Sequence, residues 1–392
     1  MGSNFFSTTI GEQLTLQRGF DITKKEQKEG NVPVVSSGGI SSYHNVSKVV
    51  APGVVLGRKG TLGTVFLLDK DFWPHDTSLW VKDFKGNNPH FVYYFFKSMS
   101  AELKKMDVGA ANPALNRNHV HPLQVEWPSR EVQDKIASIG AALDQKITLN
   151  NQINQTLEQM AQTLFKSWFV DFDPVKAKMN GEHPKGMDAA TVSLFPEKLI
   201  ESEVGLIPEG WKVKKIGDVV ERYSVGKKYS QKTAVESGLV PILDQGKSGI
   251  IGYHNDKPGV KASLDNPIIV FANHTCYMKL VTYDFSAIQN VLPFKLNGCD
   301  IYWSYLATQG KQNFIEYKGH WPDFMIHEIV IPSEELMQRF GELVKPFYSQ
   351  MASNENQNKS LAKLRDTLLP KLLSGEIDLE SVQVEQAKAL AE

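Results

Sequence analysis

Several short stretches carry residue types that could do chemistry. Gly57, Arg58, Lys59 and Gly60, with Gly63 just beyond, set two cations between glycines. Such a loop can bring amides and cationic side chains close to a phosphate or a base edge. It is not a nucleoside triphosphate loop, because the Gly-Lys-Ser/Thr ending is missing. Asp265-Asn266-Pro267-Ile268 approaches the Asn/Asp-Pro-Pro-aromatic tetrad that holds a flipped adenine, but it lacks the second proline and the aromatic. It reads as a turn before a strand. Glu316 and Lys318, with Asp300 upstream, imitate the carboxylate–lysine set of a metal-dependent nuclease. Nothing in the first half of the chain corresponds to them. The histidines show no His-x-x-x-His or Cys/His spacing of a zinc site. No catalytic residue and no metal ligand is therefore assigned.

Cations and amides remain as candidates for binding. The net charge is −1, which announces no polyanionic partner. Lysines are unevenly spread, however. Lys24, Lys25 and Lys28 stand early in the chain, and Lys212, Lys214, Lys215, Arg222, Lys227, Lys228 and Lys232 crowd a later stretch. Phosphate contact needs local rather than global positive charge. Arg pairs bidentately with guanine, and Asn or Gln with adenine. On that chemistry the candidate contacts to a polyanion are Lys24, Lys25, Arg58, Lys59, Asn116 and Arg117 in the first half, which become DNA contacts only on the family resemblance given below. In the second half they are Lys227, Lys228, Asn273, His274 and Lys318. The alternative for each is a solvated surface residue.

The elements that position these residues come in two copies. Gly39-Ile40 leads to Tyr43-His44-Asn45, and Gly249-Ile250 leads to Tyr253-His254-Asn255. The tyrosines lie 210 residues apart (253 − 43). Val32-Pro33-Val34 matches Val240-Pro241-Ile242, Ile10-Gly11-Glu12 matches Ile216-Gly217-Asp218, and Pro128-Ser129 matches Pro332-Ser333. Chain order is kept at nearly constant offset, so a diverged tandem duplication is read. The period is too long for a solenoid, whose units run about 20–50 residues. In each copy short apolar runs alternate with turn residues and predict strands: Val32–Val35, Val54–Leu56, Thr64–Leu68 and Leu79–Val81, then Ile268–Ala272, Tyr277–Thr282 and Val291–Lys295. Pro89–Met99 and Ile301–Leu306 predict aromatic-rich helices. The Tyr-His-Asn phrase is expected to be a turn, with Asn left-handed and the Tyr ring packed on the core, and direct contact with a ligand is the alternative.

After each copy the texture becomes helical. One expected core position carries Ile136, Leu143, Asn150, Leu157 and Leu164, and the other Ile139, Lys146, Ile153, Met160 and Ser167. The second copy repeats this with Phe340, Phe347, Asn354, Leu361 and Leu368, and with Leu343, Gln350, Gln357, Leu364 and Lys371. Two long helices follow, each with the other as its simplest partner. Asn150 and Asn354 hold equivalent core positions, where a buried Asn can fix register at a cost in stability. In an antiparallel pair the two side chains would meet. Pro346 is expected to kink or interrupt the second helix.

The expected division is 1–129 and 211–332 for the two α/β domains, 130–170 and 333–375 for the helices, 171–210 for a connector and 376–392 for a tail, either helical or disordered. The fold class is α+β, with the domains in pseudo-two-fold arrangement on an antiparallel coiled coil. No stretch approaches the ~20 apolar residues of a membrane span. The first residues lack the pattern of a signal peptide. Two cysteines, Cys276 and Cys299, fit a reducing compartment, and the cytoplasm is the expected location.

The connector carries the most specific resemblance. Phe169-Val170-Asp171-Phe172-Asp173-Pro174-Val175, Gly186-Met187, Leu194-Phe195-Pro196, Glu201-Ser202 and Ile207-Pro208-Glu209-Gly210-Trp211 resemble, in order, the central region of type I restriction–modification specificity subunits. The stretch from Gly57 to Gly63 resembles the glycine-rich segment of their target recognition domains. Pro128-Ser129 before Glu131 and Gln133 resembles the start of their conserved helices. The resemblance covers almost the whole chain. It implies a non-catalytic subunit that reads a split sequence in double-stranded DNA, one half per domain. It also implies partners: two adenine methyltransferase subunits and the restriction subunits, which would hold S-adenosylmethionine, ATP and Mg2+, none of them in this chain. Phe165, Trp168 and Phe169, at the end of the first helix, become candidates for partner binding, with domain core as the alternative. A coiled-coil scaffold that reads no DNA, and a stand-alone nuclease or methyltransferase, stay open as other readings.

Overall fold

The structure is a computed structural model that describes residues 5–106, 114–246, 249–377 and 379. Of the expected tail, 378 and 380–392 lie outside the described residues. The chain forms two compact units. One comprises residues 1–151 and 355–392, the other 152–354. The division falls inside both long helices, so each unit holds one domain plus half of each helix.

In the first unit the elements run β1 (Phe5–Thr9), α1 (Ile10–Gln13), β2 (Thr15–Arg18), β3 (Val32–Ser36), β4 (Gly39–His44), β5 (Gly53–Gly57), β6 (Val65–Leu68), β7 (Trp73–Pro74), β8 (Ser78–Asp83), α2 (Pro89–Ser98), α3 (Ser100–Lys105), α4 (Arg117–Val120) and β9 (Gln124–Pro128). Then α5 (Arg130–Phe169) leaves it. The connector holds α6 (Asp173–Met179), α7 (Ala189–Ser193) and the hairpin β10 (Leu199–Ser202) and β11 (Gly205–Pro208). The second domain runs β12 (Lys212–Lys215), α8 (Ile216–Val219), β13 (Val220–Arg222), β14 (Val240–Leu243), β15 (Ile250–His254), β16 (Ile268–Ala272), β17 (Met278–Val281), β18 (Ser286–Ala287), β19 (Val291–Leu296), α9 (Ile301–Thr308), α10 (Trp321–Met325) and β20 (Glu328–Ile331). The last helix is α11 (Glu334–Leu373).

The two domains share one topology. The first has sheets ordered β1-β9, β2-β8-β5-β6 and β4-β3-β7; the second has β12-β20, β13-β19-β16-β17 and β15-β14-β18. Even the irregularities repeat. The β3–β4 hairpin bulges between Val34 and Val35, and the β14–β15 hairpin between Ile242 and Leu243. In these hairpins Pro33 faces Tyr43 and Pro241 faces Tyr253. The repeated phrases are thus two paired strands, not a turn. Their buried member is His44 or His254, not the tyrosine, and Tyr43 is exposed. Each imidazole Nδ1 accepts a backbone amide, from Lys28 and from Asp256 respectively. Neither Asn45 nor Asn255 is left-handed.

The core of the first unit explains why the helices start where they do. Asn88 caps α2, with Pro89 in its first turn. Trp127 from β9 packs edge-on to Phe91 and Phe95, and its Nε1 donates to Asn87 Oδ1 at 2.8 Å. Gln133, buried in the first turns of α5, donates to the same Oδ1 at 2.7 Å and accepts from the Asn88 amide at 3.0 Å. One closed polar network therefore ties α5 to α2. Ile136, Ile139 and Leu143 join a cluster with Leu361, Leu368, Leu369, Leu372 and Leu373 of α11. In the second unit the other halves meet, with Ala161 and Trp168 against Phe340, Val344 and Tyr348.

The helix seam differs from the expected one. The first position is buried as expected at Ile136, Leu143 and Asn150, and at Phe340, Asn354, Leu361 and Leu368. The expected second position is buried at Ile139, but further along the seam it lies four residues on, not three: Ala161 and Trp168 on α5, and Val344 and Leu372 on α11, are buried, whereas Ile153, Met160 and Leu343 are exposed. Both spacings put apolar residues on one face, and only the packing decides between them. Pro346 does not interrupt α11. It and Glu342, whose carbonyl loses its amide partner, are both exposed, and water can satisfy that carbonyl. Asn150 Nδ2 donates to Gln357 and Asn358, and Asn354 Nδ2 donates to Asn154. Each buried asparagine is satisfied by the facing helix within its own unit.

Two glycines set how closely a helix meets its domain. A Cβ on Gly140 would stand 2.6 Å from the Tyr94 ring, and one on Gly341 would stand 2.4 Å from the Asp300 carboxylate that caps α9. Tyr94 is buried and held by Asp144 at 3.0 Å, so it cannot step aside. Gly140→Ala gains roughly 1 kcal/mol of helix propensity but imposes overpacking of about 1–3 kcal/mol. A lower Tm by calorimetry is expected, where an exposed helix glycine would give a higher one.

Candidate nucleic-acid interface

Three loops meet at one place in the first domain. The loop after β5 carries Arg58 and Lys59, whose amides both donate to the Thr77 carbonyl at 3.0 Å, in the loop after β7. The Arg58 carbonyl accepts from Leu115 at 2.9 Å, in the segment before α4. Glycine is required here: a Cβ on Gly57 would lie 2.0 Å from the Thr61 carbonyl, and Gly63 has φ +76°. Arg58, Lys59, Asn116 and Arg117, far apart in sequence, are thereby brought to one seat. Lys59, Asn116 and Arg117 are exposed and Arg58 is half-buried. Asn116 caps α4 through its Oδ1. Lys24 and Lys25 lie apart, in the exposed turn between β2 and β3.

Two residues missed in the sequence organise this seat. Asp76 takes Arg18 Nη2 at 2.7 Å on its carboxylate, and its backbone carbonyl takes Arg58 Nη1 at 3.3 Å. Burial pushes the Arg58 guanidinium below its usual value, with Arg18 adding to the shift and Asp76 opposing it. Burial raises the Asp76 carboxyl, but the Arg18 hydrogen bond and the charges of His75, Arg18 and Lys59 leave it below the usual range. Arg18 and Asp76 are 58 residues apart, on β2 and a loop, so no local pattern links them. Asp21, His75 and Asp76 also bring three ligand atoms within 4.8 Å of one another, a spacing that no sequence motif displays. Arg18 already neutralises Asp76 there.

The second domain builds the same seat from the loop after β16, the loop after β18 and the segment before α10. The Asn273 amide donates to the Asn290 carbonyl at 2.9 Å, and its carbonyl accepts from His320 at 2.8 Å. The side chains differ in use. Asn273 Oδ1 accepts from the Trp321 amide at 2.8 Å. His274 has both ring nitrogens engaged, with the Lys318 carbonyl and the Asn290 amide group, each at 2.9 Å. Lys318 is paired with Asp323 at 3.1 Å and Glu316 at 3.5 Å. The structure thus brings Asn273, His274 and Lys318 together, but as a framework of internal bonds. Lys227 and Lys228 are exposed in the segment after β13. Lys227 binds Asp256 at 2.8 Å, and that bond, with one from Tyr229, holds the Asp256 carboxyl below its usual range.

Of the three aromatic residues expected to bind a partner, Trp168 is domain core, while Phe165 and Phe169 pack in the core and also line an open cleft of the second unit. Trp168 and Phe169 are 3% and 5% exposed, and Phe165 is half-buried. Their rings meet Phe195, Trp211, Trp303 and Phe340 at centroid distances of 5.1–6.3 Å. An aromatic run at a helix end is apolar in sequence whichever surface covers it. Here the connector and the second domain cover it.

Comparison with known proteins agrees with this architecture. The sequence profile of the type I restriction modification DNA specificity domain matches residues 5–159. The specificity subunit of the type I restriction enzyme HindI from Haemophilus influenzae is 28% identical over 328 residues, 68% of this chain and 71% of that one. That of MjaIX from Methanocaldococcus jannaschii is 27% identical over 318 residues, 74% of this chain and 70% of that one. The fold matches the crystal structure of a type I restriction–modification S subunit from M. genitalium, with a TM-score of 0.56 at 16% identity over 94% of this chain and 96% of that one. Type I restriction–modification specificity subunits are thus what this chain is similar to, through the DNA specificity domain in its first 159 residues and over about two thirds of its length to whole specificity subunits. Among the described residues no helix is long and apolar enough to cross a membrane.

The Asp76 carboxylate gives a pH test. A depressed carboxyl stabilises the fold above its unfolded value of about 3.9 and loses that contribution as pH falls through its folded value. Asp76→Asn is expected to lower Tm at neutral pH, and the gap to the parent is expected to close on acidification below about 4, read by circular dichroism melts. A gap that persists in acid would locate the effect elsewhere.

Proposed function

We propose that this chain directs its enzyme to a split, asymmetric DNA sequence, each domain reading one half. The observation that carries this is the repeated three-loop seat, built on the same backbone bonds in both units but filled with different side chains. A shared frame with different contents is what reading two different half-sites requires. In the first domain Arg58, Lys59, Asn116 and Arg117, with Arg18, face the bases, since guanidinium forks read guanine. Lys24, Lys25, Lys227 and Lys228 serve as phosphate contacts, which position without specifying.

The chain also scaffolds partners in the cytoplasm: two adenine methyltransferase subunits, and restriction subunits where the cell has them. S-adenosylmethionine, ATP and Mg2+ belong to those subunits. Support comes from a cleft of about 830 Å3 in the second unit, lined by Val170, Val204, Leu206, Trp303 and Leu306. Val170, Val204 and Leu206 are exposed at it, and away from it Ile153 and Met160 are exposed on α5. Apolar surface of this kind marks protein contact. Asn150 and Asn354 fix the register of the helices, because a slipped pairing would strand their amides against apolar side chains. If so, leucine at both positions should yield mixed oligomers by sedimentation, whereas a spectator role leaves one species.

The deciding experiment is a genome-wide map of N6-methyladenine, with and without this gene, in a cell holding the methyltransferase subunit. Deletion is expected to remove methylation at one split motif, and exchange of either domain is expected to change one half of it. An unchanged map with an active methyltransferase would leave a scaffold that reads no DNA.

A further inference from the structure

The segment 313–319 of the second domain combines firm anchorage with apolar exposure. Its backbone is pinned twice: the Glu316 carbonyl meets His320 Nε2, and the Lys318 carbonyl meets His274 Nδ1, both at 2.9 Å. His320 is fully buried. Phe314 lies edge-on to its ring, and Tyr317 stacks on His274 with centroids 5.0 Å apart and planes 15° apart. Yet Phe314, Ile315 and Tyr317 are 55%, 77% and 83% exposed. A pinned loop that holds large apolar side chains in water is arranged for a partner.

The equivalent seat in the first domain says which partner. There the segment before α4 meets Arg58 through the same kind of backbone bond, and the seat presents Arg58 and Lys59 from the loop after β5 and Arg117 from the start of α4. Those cations suit a polyanion. The second seat, with the same frame, faces the same polymer but offers apolar surface to it. The apolar feature that a stacked DNA duplex displays in its major groove is the C5-methyl group of thymine. Base faces are closed by stacking, so groove edges are what Ile315 and the outer face of Tyr317 can reach.

We propose that Ile315 and Tyr317 read thymine methyl groups in the half-site of the second domain, with His274 and His320 as positioning residues. This rests on the split-sequence reading above. It reassigns specificity from Asn273, His274 and Lys318, whose polar atoms are engaged internally, to the loop they hold.

The test uses the full chain with its methyltransferase subunits and duplexes carrying the mapped motif. Each thymine of the second half-site is replaced in turn by deoxyuridine, which removes only the methyl group. Binding by the parent chain is expected to weaken about three- to five-fold per contacted methyl. Ile315→Ala or Tyr317→Ala should abolish that sensitivity at one position, Tyr317→Phe should keep it, and the first half-site should respond unchanged in all three. The deoxyuridine series needs no variant, so a misfolded one does not remove the test. A motif with no thymine in that half, or binding indifferent to its methyls, overturns the inference alone. So does loss of methyltransferase co-purification in the variants with DNA preference intact, which would make the loop a protein contact. Absence of any split motif overturns the specificity reading and this inference with it.

Discussion

Burial of one helix half against the other, within each unit, is the interaction on which the rest depends. The first domain brings Ile136, Ile139 and Leu143, and the far end of the chain brings Leu361, Leu368, Leu369, Leu372 and Leu373 to the same core. Those partners are more than 200 residues apart in sequence. The first domain is therefore not complete until the last helix has formed, and closing so long a loop is an entropic cost that only extensive apolar burial offsets. The second unit closes locally by comparison, since both its helix halves lie within 152–354.

Given that core, each domain needs only a rigid frame for a few side chains. The polar network of Asn87, Trp127 and Gln133 fixes α5 to the first domain, and Gly140 lets the helix approach it closely. In the second domain Met337 is buried where Gln133 would stand, and the close approach is made about one turn earlier, by Gly341 against the Asp300 cap. One frame is secured by hydrogen bonds and the other by apolar contact, with the same strand order. Shape, not chemistry, is what the two copies share.

Much of this was legible in the sequence because duplication gave every element a second reading. Ile268–Ala272 matches β16 residue for residue, and the helix from Arg130 was marked by its composition. The seam spacing was not legible, since three- and four-residue intervals place apolar groups on nearly the same face. Ile153 and Met160 look like core and are exposed. The burial of His44 and His254 was equally hidden, because an imidazole is placed inside only by the amides that happen to reach it. At the seats, residue type gave Arg58 and Arg117 but not Arg18, whose orientation comes from Asp76 across the fold.

The two seats differ in how freely their contents can change. The loop of Arg58 and Lys59 is held by its own backbone, through Thr77 and Leu115 and the glycines around it. The Lys59 side chain can vary without loosening the loop, and Arg58 adds one side-chain bond, to the Asp76 carbonyl. The loop of Asn273 and His274 is held through those side chains, so replacing them removes part-buried hydrogen bonds that help to hold the loop. Variation in the second seat is therefore confined to positions such as Ile315 and Tyr317, whose outward atoms bear no structural duty. On the proposed reading, a frame that frees side chains in one copy and consumes them in the other would put recognition on different loops of the same fold.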